Sequence, residues 1–421
     1  MVKFYIQITK ILIGIIFNME KNKMQEEFEK DILNKYACNS PFKYIDIQPV
    51  GNFICCPFWN TTNLRINEKG EPNPWFPVDK SEDLLRNWTS PQAKQVRKDI
   101  LDGSYASCNK VVCPSLSQLL GKSQIEGIER IPYNFQPKEE LMKELNISSI
   151  EDINNFTTTP EEILFGFDRS CNYMCPSCRT KIIPNDEVDS EEYKRKKIII
   201  DRIDEQYSWN LRKIIITGSG DPFYARIFRE YLQNFDNTKY PKLEEIQLVT
   251  NGSLLNKQMW DTMPSVHKYI KCIEISIDAG TKETYETKTR LNGVWDTLIS
   301  NLKFLASLES VERVVFSMTV SKHNYKEMYI FWELLTGLFS HKKILCINYR
   351  RLVQWGTFKQ EELDELCVFE KNNPLFNDFM TELKKIHRLP HVDTNFNDLL
   401  LEDTNVKEEL VPTFKIKKTL I

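Results

Sequence analysis

The stretch ILFGFDRSCNYMCPSC, residues 163–178, runs an apolar segment of strand length straight into three cysteines spaced C-x3-C-x2-C, at Cys171, Cys175 and Cys178. Thiols this dense in one short segment are not there for packing; they are soft-metal ligands brought together at a strand end. Zinc would want a fourth protein ligand, and no local Cys or His supplies it. A cubane iron–sulfur cluster takes one ligand per iron, so three cysteines leave one iron open to chelate a substrate or cofactor.

Outward from that stretch the pattern is regular. The runs EILFGF, KIIIT, EIQLV, CIEISI, VVFSMTV and ILCINY are each of strand length. Between them lie segments of helical character such as EEYKRKKIIIDRIDEQY, ARIFREYLQNF and VWDTLISNLKFLASL. Strands alternating with helices predict an α/β fold of parallel βαβ units. With both sheet faces covered, the strands are expected to read as continuous apolar runs rather than clean alternation. Before residue 161 the rhythm is missing. Residues 38–125 carry five cysteines and one clear helix, near DLLRNWTSPQAKQVRKDILDG, and predict a small module held by something other than a large core. Residues 1–37 read as an extension, 126–160 as a polar connector, 161–355 as the β/α body and 356–421 as terminal helices.

C-x3-C-x2-C after the first strand of a six-unit β/α chain resembles the radical S-adenosylmethionine (radical SAM) superfamily. The resemblance extends over residues 161 to about 355 and includes ITGSGDPF at 216–223, VTNG at 249–252, EISIDAG at 274–280, RLNGVWD from Arg290 and VSKHN at 320–324. It implies a partial (β/α)6 TIM-like barrel whose chemistry sits at the C-terminal ends of the strands. It also implies that the open iron binds the amino and carboxylate groups of S-adenosylmethionine, which the reduced cluster cleaves to a deoxyadenosyl radical. Carried over residue by residue, the metal ligands are Cys171, Cys175 and Cys178. The cofactor contacts are Gly218, Ser219, Gly220 and Asp221 in the glycine turn, Thr250 and Asn251, Ser276 and Asp278, and Arg290. The glycines are expected to let backbone donors approach the methionyl group closely. Ser177 stands where the family usually has an aromatic residue against the adenine, so there the backbone is the expected contact.

The first module has its own pattern, Cys38-x12-Gly51-x4-Cys56, followed by Cys108 and Cys113. This resembles the hairpin opening of the auxiliary-cluster domains called SPASM, or twitch when shortened, and implies an auxiliary 4Fe-4S cluster on Cys38, Cys56, Cys108 and Cys113. YIDIQPVGNFICC reads as two strands about a turn at Gly51, which puts Cys38 near Cys56 across the hairpin base. A structural zinc site with the same four thiolates is the alternative.

A net charge of -3 makes no electrostatic case for nucleic acid or an anionic membrane. The opening run ILIGIIF is too short to span a bilayer, and a start at Met19 or Met24 accounts for it equally well. Eleven cysteines unevenly placed in a long chain argue for reduced, metal-binding thiols and a cytoplasmic protein. The family implies an electron donor such as flavodoxin or ferredoxin. For the substrate, a peptide or protein is the leading expectation. The alternatives are a dehydrogenase or epimerase of a sugar, aminocyclitol or other small molecule, and a non-catalytic metal-stabilised binding protein. No catalytic acid, base or triad is legible. Alternation along the sixth strand places Cys346, Asn348 and Arg350 on one side, toward the barrel interior.

Overall fold

The computed structural model describes residues 26–49, 51–55, 84–110, 113–120, 131–132, 134–217, 219–342 and 344–402. Cys56 and Gly218 lie outside them, as does the opening apolar run. Among the described residues the strands are, in chain order, β1 (Tyr36–Cys38), β2 (Tyr44–Gln48), β3 (Gly51–Phe53), β4 (Phe135–Pro137), β5 (Glu162–Phe165), β6 (Lys213–Ile216), β7 (Glu245–Thr250), β8 (Ile270–Ser276), β9 (Arg313–Val320), β10 (Ile344–Arg351) and β11 (Val392–Thr394). Two compact units result. One holds described residues of 26–44, 53–55 and 85–159, the other those of 45–52, Leu84 and 160–402.

The larger unit is α/β. Its sheet runs in the order β11-β10-β9-β8-β7-β6-β5-β2-β3, with every neighbouring pair from β5 to β11 parallel. All six strand-length runs are strands, adjacent in chain order as βαβ units require. The sheet is open, not a closed barrel, and it is longer than expected. β11 adds to one edge from within the terminal segment, between the helix Phe376–Ile386 and Asn397–Glu402. On the other edge β2 and β3 join it, so the stretch 45–52 groups with this unit instead of staying with the cysteine module.

Burial along the strands also departs from the expectation of continuous apolar runs. In β7, β9 and β10 fully buried and half-buried positions alternate. One face, with Ile246, Leu248, Val314, Phe316, Met318, Leu345 and Ile347, is core. The other carries Gln247, Ser317, Thr319, Cys346, Asn348 and Arg350 and stays partly open. A parallel sheet covered on both sides would bury both sets; a sheet curved around a site covers only its outside.

Helix Glu191–Gln206 begins at Ser190, whose side chain accepts from the Tyr193 N–H at 3.2 Å, with Glu191 and Glu192 in the first turn. These are ordinary start signals, a cap and acids at the positive end of the helix. Its buried side holds Ile199, Ile200 and Ile203, and also Lys196, 5% exposed. The ammonium of Lys196 lies 3.1 Å from Asp168 and 2.5 Å from Asp186, which tethers this helix to the chain leading into the cysteines.

In the smaller unit β1 pairs antiparallel with β4. The expected single helix near 83–103 is two, Leu84–Trp88 and Pro91–Leu101. Pro91 forces Ser90 into extended backbone, and the Ser90 side chain then caps the second helix through the Ala93 N–H. The expected polar connector is folded. Phe135, Leu141, Ile147, Ile153 and Phe156 are buried, too widely spaced in a polar context to show periodicity. Arg97 is fully buried, donating to the carbonyls of Pro41 and Trp88 while its guanidinium lies over the rings of Trp88 and Phe156. Among the described residues no helix is long and apolar enough to cross a membrane.

Lys196→Met should destabilise the protein by about 3 kcal/mol in urea titration, because it leaves two carboxylates together without their cation. A loss under about 1 kcal/mol would mean that the triad is screened like a surface pair.

Candidate functional site

The site begins where β5 ends. Asp168 accepts the Ser170 N–H at 2.7 Å through Oδ1 and turns the chain. Cys171 then donates its N–H to the Ile183 carbonyl at 2.9 Å. The N–H groups of Cys178 and Arg179 both reach the Cys175 carbonyl at 2.9 Å, a single helical turn that stacks Cys175 and Cys178 on one side. The three cysteines therefore sit on fixed backbone.

Each sulfur has an N–H donor. Asn251 Nδ2 lies 3.7 Å from Cys171 Sγ, Arg290 Nη1 3.4 Å from Cys175 Sγ and Arg179 Nη2 3.3 Å from Cys178 Sγ. Burial pushes Cys171 up to about 11 and raises Cys175 as well, against the opposing charges of Arg179 and Arg290 respectively. Such thiols stay protonated near neutral pH until a metal displaces the proton. Among the described residues no group of three or more His, Cys, Asp or Glu closes around a single ion-sized point. The three thiols instead share the wall of an open cavity of about 330 Å³, within the range of ligand pockets. Three soft ligands with donors to sulfur, beside space for a small molecule, suit a cluster with one exposed iron.

The cavity wall brings together Ser177, Ser219, Gly220, Thr250, Asn251, Ser276, Asp278 and Arg290 with the three cysteines. Gly218 lies outside the described residues. Asp221 lies in the sequence expectation beside these residues but sits behind the wall, fully buried. Its Oδ1 accepts the N–H groups of Phe223 and Tyr224 at 3.0 and 3.1 Å, and its Oδ2 accepts the Thr250 hydroxyl and the Asn251 N–H at 2.7 and 2.9 Å. Its own N–H reaches the Ser170 carbonyl at 3.0 Å. These contacts occupy the acceptor sites of Asp221 and tie it to the ends of β5 and β7.

The glycine turn works differently from the expectation. The N–H groups of Ser219 and Gly220 are bound by Thr217 Oγ1 at 3.0 and 2.8 Å, so they do not point free into the cavity. Thr217 itself has φ 64°, a left-handed conformation that costs a β-branched residue and is held by those bonds. Gly220 is needed for another close approach: a Cβ there would stand 2.6 Å from the Asp168 carbonyl oxygen and 2.8 Å from that of Ser170. The turn is pressed against the backbone that leads into Cys171.

At the end of β8 Asp278 is also left-handed, at φ 59°. Its Oδ1 accepts the Thr319 N–H and its Oδ2 pairs with Arg290, both at 2.7 Å. Arg290 thus joins the β8 end to Cys175. Asn324, of the VSKHN segment, donates to the carbonyls of Asp278 and Thr319 at 2.8 and 2.9 Å. Missed in the sequence were Tyr173, whose hydroxyl meets that of Tyr285 at 2.9 Å, and Arg179, which also holds the carbonyls of Arg169 and Ser219. A cation directly after the third cysteine was the legible signal for Arg179.

In the smaller unit the charges of Cys38, Cys108 and Cys113 act on one another, but no group of three or more His, Cys, Asp or Glu among the described residues is placed to hold a metal ion. Burial raises Cys108, with the charges of Cys38 and Cys113 adding to it, and pushes Cys38 up to about 11. Tyr105 accepts the Cys38 N–H at 3.1 Å and donates to the Tyr36 carbonyl at 2.9 Å. Cys113 Sγ accepts the Leu116 N–H, capping the short helix Pro114–Leu119.

Residues 167–334 match the family model described as the Radical SAM superfamily. Two curated relatives, the GTP 3',8-cyclases of Clostridium perfringens strains SM101 and 13, are each 26% identical over 133 residues, 32% of this chain. The match spans only 39% of either relative's length. A solved structure of TYW1 with a lysine-pyruvate adduct bound aligns over 51% of this chain and 68% of its own at 18% identity, with a TM-score of 0.29.

Gly220→Ala should lower the iron retained on the barrel cysteines by more than half, since the added methyl must displace the 168–170 backbone that sets Cys171. Full iron content with weakened S-adenosylmethionine binding would instead mean that the turn serves the ligand directly.

Proposed function

Because residues 167–334 match the family model of the radical SAM superfamily, we propose that the chain is a radical SAM enzyme. It would hold a 4Fe-4S cluster on Cys171, Cys175 and Cys178, bind S-adenosylmethionine in the adjoining cavity and abstract a hydrogen atom from a substrate C–H bond. The observation that carries this reading is the set of three thiols, each with its own N–H donor, on the wall of that cavity. When bound, the cluster and S-adenosylmethionine supply the reductive cleavage and the carbon radical.

The chain's own residues do the rest. Arg179 and Arg290 place positive charge beside Cys178 and Cys175, which favours the thiolate form and stabilises negative charge at sulfur. Asn251 adds a neutral donor at Cys171. Asp278 fixes the Arg290 guanidinium and, through Thr319, ties it to the next strand. Ser177, Ser276 and Thr250 offer polar groups around the space for the cofactor. Ser219 and Gly220 shape the wall beside the cysteine loop.

For the substrate we carry over only the class in the relatives' name, a small molecule, in preference to the peptide or protein expected from the sequence. An electron donor such as flavodoxin or ferredoxin would reduce the cluster. In the smaller unit we read Cys38, Cys108 and Cys113, with Cys56 as the fourth ligand, as an auxiliary cluster site. The spacing of these cysteines in the sequence supports this.

Replacing Cys171, Cys175 and Cys178 together by Ala should abolish reductive cleavage of S-adenosylmethionine by anaerobically reconstituted protein. The same change at Cys38, Cys108 and Cys113 should leave cleavage measurable while iron falls from about eight to about four per chain. Loss of all cleavage in a folded second variant would contradict separate roles for the two sets. A parent protein with about four irons and one zinc would assign zinc to the smaller unit.

A further inference from the structure

The cavity has a charge that the chain as a whole does not. The protein's net charge is -3, yet among the described residues the charged side chains on the cavity wall are Arg179, Arg290, Arg350 and Arg351 against Asp278 alone. Two of these cations are committed to the cysteine side: Arg290 to Asp278 and Cys175, Arg179 to Cys178 and two carbonyls. The other two stand at the end of β10.

Arg350 pairs with Asp393 at 2.6 Å, but that carboxylate is 55% exposed, and such a pair is worth little in water. A guanidinium has five N–H donors, so one exposed aspartate leaves it capacity for a second anion. Arg351 is anchored from behind. Its guanidinium lies over the rings of Phe369 and Phe396 and bonds both oxygens of Asp398, at 2.7 and 2.8 Å, while its Nε is buried with no hydrogen-bond partner. Directly after the strand, Val353 and Trp355 also line the cavity and are 51% and 56% exposed, an apolar and aromatic rim on an otherwise polar opening.

Resting on the reading of this cavity as a radical SAM site, we propose that its substrate carries an anionic group, phosphate or carboxylate, bound by Arg350 with Arg351 holding the β10 end in place, and a flat or apolar part that lies on Val353 and Trp355. Arginine suits either anion because its planar fork matches both. This places substrate on the β10 side of the cavity and leaves the cysteine side to the cofactor.

The test is calorimetric titration of inorganic pyrophosphate and, separately, malonate into anaerobically reconstituted protein in the presence of excess S-adenosylmethionine. At least one should bind, and Arg350→Gln should weaken it about 10-fold or more. Arg350→Lys, which keeps the charge, should recover part of that loss, and equal thermal stability of the variants shows that the fold is intact. Pyrophosphate alone binding assigns a phosphate-bearing substrate, malonate alone a carboxylate. The proposal is overturned if neither anion binds, if Arg350→Gln binds as tightly as the parent, or if that variant loses affinity for S-adenosylmethionine instead. Arg350-dependent anion binding in protein that carries cluster iron but never cleaves S-adenosylmethionine would uphold the anion site and sink the enzymatic reading.

Discussion

One buried aspartate holds the ends of three strands together. Asp221 follows β6, receives the Thr250 hydroxyl and the Asn251 N–H from the end of β7, and gives its own N–H to the Ser170 carbonyl just before the first cysteine. Burial raises its pKa, and four donors oppose that rise. A carboxylate in the interior is tolerated only when so satisfied. The consequence for function is direct: Asn251, the donor at Cys171 Sγ, is placed by the same residue that fixes the chain entering the cysteine loop.

The same device recurs one strand further on. Asp278 and Asn324 tie β8 to β9, and Arg290 carries that tie across to Cys175. The site is thus built at strand ends from side chains whose hydrogen bonds run to backbone, the rigid support that a reactive centre needs. The half-buried face of β7, β9 and β10 explains why the space beside it persists. Polar positions such as Gln247, Ser317 and Asn348 alternate with core residues, so the sheet keeps one surface that is not filled by apolar packing.

Much of this was legible in the sequence because it is local. Six apolar runs and the cysteine spacing need no knowledge of distant contacts, and both the strands and the loop stand where they were expected. What escaped depends on contacts between segments far apart in the chain. Gly220 reads as a ligand-binding glycine, and nothing local shows that it is also pressed against the backbone at 168–170, about fifty residues earlier. Asp221 reads as a cofactor contact because acids after strands often are; only the positions of residues 170 and 250 reveal a clamp. Arg97, a long cation in a helix of mixed polarity, gives no sign that two aromatic rings and two carbonyls enclose it. β11 is three residues long, too short for any periodicity.

The account turns on one claim, that the cysteine loop holds a cluster with an iron open to S-adenosylmethionine. Low-temperature electron paramagnetic resonance of the dithionite-reduced protein, with Cys38, Cys108 and Cys113 replaced so that one set of thiols remains, tests it most directly. The account predicts a reduced-cluster signal whose line shape changes when S-adenosylmethionine is added, because a new ligand on one iron alters the electronic structure. A cluster signal that is the same with and without S-adenosylmethionine would contradict it.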